Sequence, residues 1–479
     1  MAVTTGQRYL PRAASLDRAD RRSILIVGDI VSSLVAAAAG LLAWGSSGHH
    51  LSLVWLGQKA FWAPVLSVSW MATAALIGTY VPANAIRTVR SWTVLLSTGG
   101  LVCMSYSVVY FFSPRTMLPR VVVLAFAACA IFIVGAWRRV WDWASGHPSL
   151  SRPVVIVGAG GLGERLARVL TERPSSGYRV IGFVDDDPTR TAMPPDAGGA
   201  PSISILGTPT DLDTIVESFG AAEVVLAFRG QPSRAVLEGV LACHARGVVV
   251  SQAADLYEAT TGRFPIWHVA ENLDGLLPLV PPGRALYIAL KRLVDIVVAV
   301  GGLTFFGIAL PVVALAVKLD SKGPLFYRQV RTGRGGKTFR IWKLRTMSVN
   351  AEEALGPSWT SVADPRMTRV GRFLRRTHID ELAQLLNVLR GEMSLVGPRP
   401  ERPEIDDRLE RLIPMYGLRL TVKPGIAGWG AVNGPYVDDL AKALERLEYD
   451  LYYINHQSFW LDLQILAAAL YHAALLRGR

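Results

Sequence analysis

Three hydrophobic rhythms follow one another along this chain. The first third carries apolar stretches at Ile24–Trp44, Phe61–Val81, Trp92–Phe112 and Val121–Trp137, each close to the ~20 residues a helix needs to cross a bilayer and the last of them short. Arg8, Arg12, Arg18, Arg21 and Arg22 precede the first stretch, Arg87 and Arg90 separate the second from the third, and Arg138 and Arg139 follow the fourth. That bias places the N-terminus on the cytoplasmic side; Arg115 and Arg120, on the opposite side, run against it. No small-residue cleavage site follows the first stretch, which reads as an anchor and not as a cleaved signal.

Beyond Pro153 the rhythm shortens. VVIVGAGGLGERLARVL reads as a buried strand, a glycine-rich turn and a helix. Gly158, Gly160 and Gly163 fit GxGxxG, and Asp185 follows a second strand-like run, VIGFV. In a dinucleotide site such glycines let the backbone approach a pyrophosphate and such an acid accepts from a ribose hydroxyl. Further strand candidates at Ala222–Phe228 and Gly247–Ser251 alternate with helical patterns, so a parallel, Rossmann-like α/β domain over about 150–270 is expected. Rossmann-like domains also serve regulation or assembly with no ligand, and NAD or another nucleotide is the less favoured expectation here.

The third rhythm begins with Ile296–Val317, uncharged and long enough to span. Cations flank both ends, Arg284, Lys291 and Arg292 before it and Lys318, Lys322, Arg328, Arg331 and Arg334 after it. A true span shows that bias on one side only. Pro311 removes a helical hydrogen bond inside the segment. A membrane helix over about 290–318 that enters, bends at Pro311 and returns satisfies both facts, and an ordinary kinked span is the alternative.

Composition agrees with a membrane protein: 51% of the 479 residues are hydrophobic and the net charge is +12. A basic balance suits nucleic acid, anionic lipid or phosphorylated substrates; a membrane-tethered chain argues against nucleic acid. Cys103, Cys129 and Cys243 form no CxxC pair or Cys/His cluster, and His49–His50 reads as a solvated turn.

Two places carry candidate chemistry. Tyr287 and Lys291 are spaced YxxxK, as in short-chain dehydrogenases, which would suit a membrane-anchored, NAD-dependent nucleotide-sugar dehydratase or epimerase; they lie at the mouth of the long apolar stretch instead of on a helix packed against a Rossmann sheet. The second place is THIDELAQLLNVLRGEMSLVGPRP, residues 377–400. Asp380 and Glu381 open a helix there, with Thr377 at capping-box spacing from Asp380 and Gly391 ending it. Leu382, Leu385, Leu386 and Leu389 should be buried, leaving Asp380, Gln384 and Asn387 on a polar face. Arg375, Arg376, Arg390 and Arg399 surround the acids, and residues 321–347 add a run of cations among aromatics. Acids in a first turn commonly do no more than complement the helix dipole. Among cations, however, they can also act as nucleophile or hold a metal beside a phosphate.

The region 284–479 resembles the bacterial sugar transferases, which pass a sugar phosphate to polyprenyl phosphate and begin exopolysaccharide, capsule and O-antigen synthesis. The resemblance rests on KRLVDI (291–296), GPLFYRQVRTG (323–333), KLRTM (343–347), DPRMTRVGRFLRR (364–376), IDELAQLLNVLRGEMSLVGPRP (379–400), KPGIAGWGAVNG (423–434) and EYDLYYI (448–454). It implies that Asp380 attacks the sugar-bearing phosphate of a UDP-hexose, that Glu381 with Asp380 holds Mg²⁺, that UMP leaves, and that undecaprenyl phosphate then takes the phosphosugar. It puts Arg375, Arg399, Lys343, Arg345 and Asn433 at the substrates and Pro311 at the kink of a re-entrant helix. It also implies a multi-pass protein of the bacterial inner membrane, with a transmembrane region (1–143), a Rossmann-like domain (144–283) and a mostly helical catalytic domain (284–479) facing the cytoplasm. A homodimer is left open, as is a non-catalytic scaffold in polysaccharide assembly. Leu310, His378-Ile379, Ala383, Ala427 and Gly430-Ala431 depart from the family pattern, all outside the Asp-Glu pair.

Overall fold

The computed structural model describes residues 16–474 except 47–58, 81–91, 113–117, 146, 148–149, 174–175, 188–202, 229, 267–283, 348–365, 414 and 436. His49–His50, Arg8, Arg12, Arg87, Arg90 and Arg115 lie outside the described residues. The chain divides into two compact units, Met1–Asn272 and Leu273–Arg479.

The first unit holds helices Arg18–Ser46, Trp62–Leu76, Trp92–Phe111 and Arg120–Ser145. The first, third and fourth are long and apolar enough to cross a membrane, whereas Trp62–Leu76 is shorter than the expected stretch. Its helix is closed by Ile77 and by Gly78 at φ 80°, a left-handed conformation open to glycine. Leu66, Trp70, Phe126 and Val134 pack at the centre of the bundle. One polar knot lies inside it. Arg138, 1% exposed, meets Asp29, 0% exposed, at 2.6 Å, and Tyr80 donates to the same carboxylate at 2.6 Å. Arg138 is therefore no flanking surface charge: the fourth helix runs on to Ser145 and turns this cation inward. Buried charges survive in apolar surroundings only when paired in this way.

After the bundle comes a five-stranded parallel sheet in the order β3-β2-β1-β4-β5, with β1 Arg152–Val157, β2 Tyr178–Val184, β3 Ile205–Gly207, β4 Glu223–Leu226 and β5 Val249–Gln252. Continuous apolar runs fill β1 and β4 because helices cover both faces. Gly161–Glu172 and Ala253–Thr261 pack Leu166, Leu170 and Leu256 on one side; Leu212–Phe219 and Arg234–Ala245 pack Leu212, Val216 and Cys243 on the other.

In the second unit, one helix runs from Arg284 to Asp320 with Pro311 inside it. Asp295, Ala299, Phe306 and Val317 are buried along one stripe of that helix, while Val297, Phe305, Ile308, Val312 and Leu315 are exposed. The stripe touches the rest of the unit from end to end. Arg292 donates to the Val388 and Leu389 carbonyls, Asp295 accepts from Ser394 Oγ and Leu395 N, and Asp320 accepts from Val370 N. Between them Leu303, Phe306, Leu310, Val313 and Val317 share a core with Leu344, Leu374 and Ala383. The hairpin of β6 Phe326–Thr332 and β7 Thr338–Leu344 follows, then helix Arg369–Arg376, the 3-10 turn Ile379–Gln384, helix Leu385–Arg390 and β8 Ser394–Val396, which pairs in parallel with β9 Gly425–Ala427. Helices Pro403–Leu412, Trp429–Asn433, Leu440–Asn455 and Phe459–Ala474 complete the unit.

Candidate functional site

The chain arrives at Asp380 through a forced bend. Thr377 donates back to the Phe373 and Leu374 carbonyls and so closes the preceding helix; it does not cap the next one as its spacing suggested. His378 then takes φ 57°, the one left-handed non-glycine among the described residues. The following six residues form a tight 3-10 turn, continued by an α-helix that ends at Gly391, φ 80°.

This geometry departs from the expected burial. Leu385 is buried as expected, but so are Gln384 and Asn387, while Leu382, Leu386 and Leu389 are only half-buried. Asn387 explains why: it accepts from Trp342 N at 3.1 Å and donates to Arg340 O at 2.8 Å and Glu392 at 2.7 Å. The polar face is the one that docks on β7, and its polar groups are paid for by strand-edge partners.

Asp380 is 6% exposed and Glu381 7%, yet their surroundings differ. Glu381 Oε1 accepts from Arg399 Nη2 at 2.8 Å and Lys343 Nζ at 3.2 Å. Lys343 comes from β7 and Arg399 from the Gly-Pro-Arg-Pro turn after β8. Burial works against ionising Glu381, but Arg399 and Lys343 outweigh it and hold this carboxyl well below the usual range. Among the described residues no group hydrogen-bonds the Asp380 carboxyl. Burial, then the charge of Glu381, push it up to about 6, against partial relief from Lys343, Arg375 and Arg399.

The described residues hold no group of three or more His, Cys, Asp or Glu placed to hold a metal ion. The donor set nonetheless fits Mg²⁺, which usually takes one or two carboxylates together with substrate phosphates and water. Both cations bond Glu381 Oε1, leaving Oε2 and the Asp380 carboxyl unengaged by them.

Lys343, Arg399 and, through its charge, Arg375 thus converge on the pair. Arg375 Nε donates to Thr346 Oγ1 at 3.0 Å. Arg345 points its guanidinium at the Ser321 and Lys322 carbonyls, at 2.7 and 3.1 Å, and ties down the end of the long helix. Asn433 donates to Trp429 O at 3.3 Å within its own short helix.

Tyr287 and Lys291 do not make a dehydrogenase pair. Tyr287 donates to Asp462 at 2.8 Å, Lys291 to Asp462 at 2.7 Å and to Tyr453 at 3.1 Å, and Tyr453 to Asp462 at 2.7 Å. Their polar groups bind the start of the long helix to helices Leu440–Asn455 and Phe459–Ala474, in the second unit, whereas the five-stranded sheet belongs to the first.

The glycine-rich turn has the expected backbone. Gly158 sits at φ 107° and a Cβ on Gly163 would lie 2.1 Å from the Gly158 carbonyl. Asp185, however, accepts from Ala159 N at 2.6 Å and from Asp187 N at 3.0 Å. It thereby ties the glycine-rich turn to the residues that follow β2.

A buried network escaped sequence reasoning: Arg419 bonded to Asp406 at 3.2 Å, Asp450 at 3.3 Å and the Tyr416 oxygen at 2.8 Å. Its acids lie on two helices distant in sequence, so no local spacing could announce it. Asp29, a lone acid in an apolar stretch opposite Arg138, did leave a signal.

Comparison with known proteins finds two families along the chain. Residues 286–475 match the bacterial sugar transferase family, and residues 76–250 match a family described as a CoA-binding domain. The UDP-N-acetylgalactosamine-undecaprenyl-phosphate N-acetylgalactosaminephosphotransferase of Aeromonas hydrophila is 40% identical over 224 residues, 47% of this chain and 52% of that protein, so the match spans about half of it. The UDP-glucose:undecaprenyl-phosphate glucose-1-phosphate transferase of Escherichia coli K12 is 36% identical over 337 residues, covering 67% of this chain and 68% of that one. A protein of the same description from Xanthomonas campestris is 28% identical over 446 residues, 84% of this chain and 90% of its own length. The chain belongs to the bacterial sugar transferase family.

Proposed function

We propose that this protein transfers hexose 1-phosphate from a UDP-sugar to undecaprenyl phosphate, releasing UMP and leaving an undecaprenyl-diphospho-sugar, the first membrane step of an extracellular polysaccharide. The observation that carries the reading is the asymmetry of the acid pair: Glu381 is clamped by two cations, and Asp380 is buried beside it with no hydrogen-bond partner among the described residues. A carboxylate so placed is a poor structural element and a ready nucleophile.

In the first half-reaction an Asp380 oxygen attacks the phosphorus that bears the sugar. The bond from that phosphorus to the UMP oxygen breaks, UMP leaves, and the enzyme carries an acyl phosphosugar. In the second, an oxygen of undecaprenyl phosphate attacks the same phosphorus and the bond to Asp380 breaks, restoring the carboxylate. Lys343, Arg375 and Arg399 offset the negative charge of two anionic substrates and an attacking carboxylate. A bound Mg²⁺, held by Glu381 and Asp380, would supply further charge neutralisation on the diphosphate. Arg345 and Asn433 act on the frame around the site.

The reading places the catalytic domain, about 284–479, on the cytoplasmic face of the inner membrane, with the transmembrane region and the Rossmann-like domain before it. The Arg284–Asp320 helix supports re-entry over crossing, because its buried stripe packs on one domain along its whole length, from Arg292 to Asp320. A spanning helix would carry one end away from that domain. The relatives' names cite different sugars, N-acetylgalactosamine and glucose, so the hexose is left to assay. Purified protein with polyprenyl phosphate and UDP-glucose, UDP-galactose or UDP-N-acetylhexosamines should release UMP with at least one donor. Full turnover by Asp380→Asn would sink the covalent route, and turnover by none of the donors would favour a scaffold.

A further inference from the structure

Pro398-Arg399-Pro400 crosses the candidate site with two of its three backbone nitrogens unable to donate. Such a segment is held chiefly through its carbonyls, and each of them is taken. Gly425 N donates to Pro398 O at 2.9 Å, Arg419 Nη2 to Arg399 O at 2.6 Å, Arg331 Nη1 to Pro400 O at 3.1 Å, and Thr332 N to Glu401 O at 3.0 Å. A residue before proline is confined to extended conformations, so the direction of the Arg399 side chain follows from where its carbonyl is pinned.

The group that pins it is unusually well fixed. Arg419 is 5% exposed, and its other bonds go to Asp406 at 3.2 Å, the Tyr416 oxygen at 2.8 Å and Asp450 at 3.3 Å. The planar guanidinium meets these acceptors from fixed directions, a set of bonds that a lysine ammonium cannot reproduce. A buried cation among two carboxylates could serve stability alone. The bond to the carbonyl of the very arginine that clamps Glu381 gives it a second consequence.

We propose that Arg419 is a positioning residue for the transfer reaction: it fixes the Arg399 carbonyl and thereby the approach of the Arg399 guanidinium to Glu381, without touching substrate. The inference rests on the Asp380–Glu381 centre proposed above. Its distinguishing property is that Arg419 acts on the reaction through Arg399 and by no other route.

A double-mutant cycle on the full-length protein in detergent tests this, scoring UMP release with UDP-sugar and polyprenyl phosphate. Arg419→Lys is expected to lower turnover by about 10²-fold, the scale of a small misplacement at a reacting centre. It should show the same division of the loss between kcat and KM as Arg399→Ala. In the Arg399→Ala background, Arg419→Lys should cost nothing further. Multiplying losses, with Arg399→Ala itself impaired, would overturn the positioning role and leave the centre standing. Normal turnover by Arg399→Ala would overturn the centre and this inference together. Should Arg419→Lys fail to insert, Asp450→Asn, which removes the carboxylate sharing Arg419 Nη2, runs the same cycle; it should give a smaller loss that also vanishes when Arg399 is absent, and a persisting loss would overturn the role.

Discussion

Two buried aspartates, one in each unit, are opposites: Asp185 directly follows β2, and Asp380 lies in the 3-10 turn Ile379–Gln384. Asp185 accepts from two backbone amides, Ala159 N and Asp187 N, and holds a glycine-rich turn closed. Asp380 has no hydrogen-bond partner among the described residues, sits beside a second carboxylate, and is pushed up to about 6 by burial and by Glu381. Both looked functional in sequence, Asp185 through a dinucleotide fingerprint and Asp380 through its cationic surroundings. What separates them is satisfaction. A buried acid whose acceptors are filled stabilises the fold; one left unfilled costs stability and is kept for another reason.

The largest expected effect is on chemistry. Asp380→Asn should lower transfer by about 10⁴-fold or more, the scale of losing a nucleophile, while the protein still inserts. Retained activity would put Asp380 in the same class as Asp185. Glu381→Gln should cost about 10²–10³-fold by loosening Lys343 and Arg399. A radiolabel transfer assay reads both.

Stability sharpens the comparison, because the same substitution should act with opposite signs. Asp185→Asn replaces one amide acceptor with a donor facing an N–H and should cost about 1–3 kcal/mol. For Asp380 the folded value lies above the unfolded 3.8. The folded state therefore binds that proton more tightly, so the contribution is complete below the unfolded value and is lost as pH rises through the folded one. Asp380→Asn should accordingly melt higher than the parent at pH 8, with the gap closing toward pH 4. Thermal unfolding of the two variants across that range gives the signs; destabilisation by Asp380→Asn at pH 8 would contradict the account. Turnover of the parent should rise as pH increases through about 6, as the nucleophile ionises.

The smallest effect is expected at Tyr287. Tyr287→Phe removes one of the bonds to Asp462 and should cost about 1 kcal/mol with transfer retained. Loss of all activity with a normal melt would revive the pair as chemistry.

Much of the architecture was legible because periodicity reports burial. The alternation of strands and helices after Pro153 became a parallel sheet, and the apolar stretches became helices. The meeting of Lys343 and Arg399 with Glu381, beside Asp380, was also legible, since the motifs that carry them recur in order along the chain. The failures share a cause. The leucine face of 382–389 was assigned to the interior by its spacing, which held for Leu385 alone, because Asn387 brings a buried polar face to the edge of β7, a tertiary pairing with no local trace. Thr377 had capping spacing, and the left-handed turn at His378 took it out of register. Tyr287 and Lys291 had a catalytic spacing, and Asp462, far along the chain, consumed both. Arg138 looked like a flank until Asp29 drew it inside. In each case a partner distant in sequence decided the outcome.

The most direct test withholds the acceptor. Protein incubated with UDP-sugar alone, quenched and digested, should give a peptide spanning Asp380 that carries one sugar phosphate, with stoichiometric UMP release, and Asp380→Asn should give neither. UMP formation that depends strictly on polyprenyl phosphate, with no adduct at any time of quench, would contradict the account.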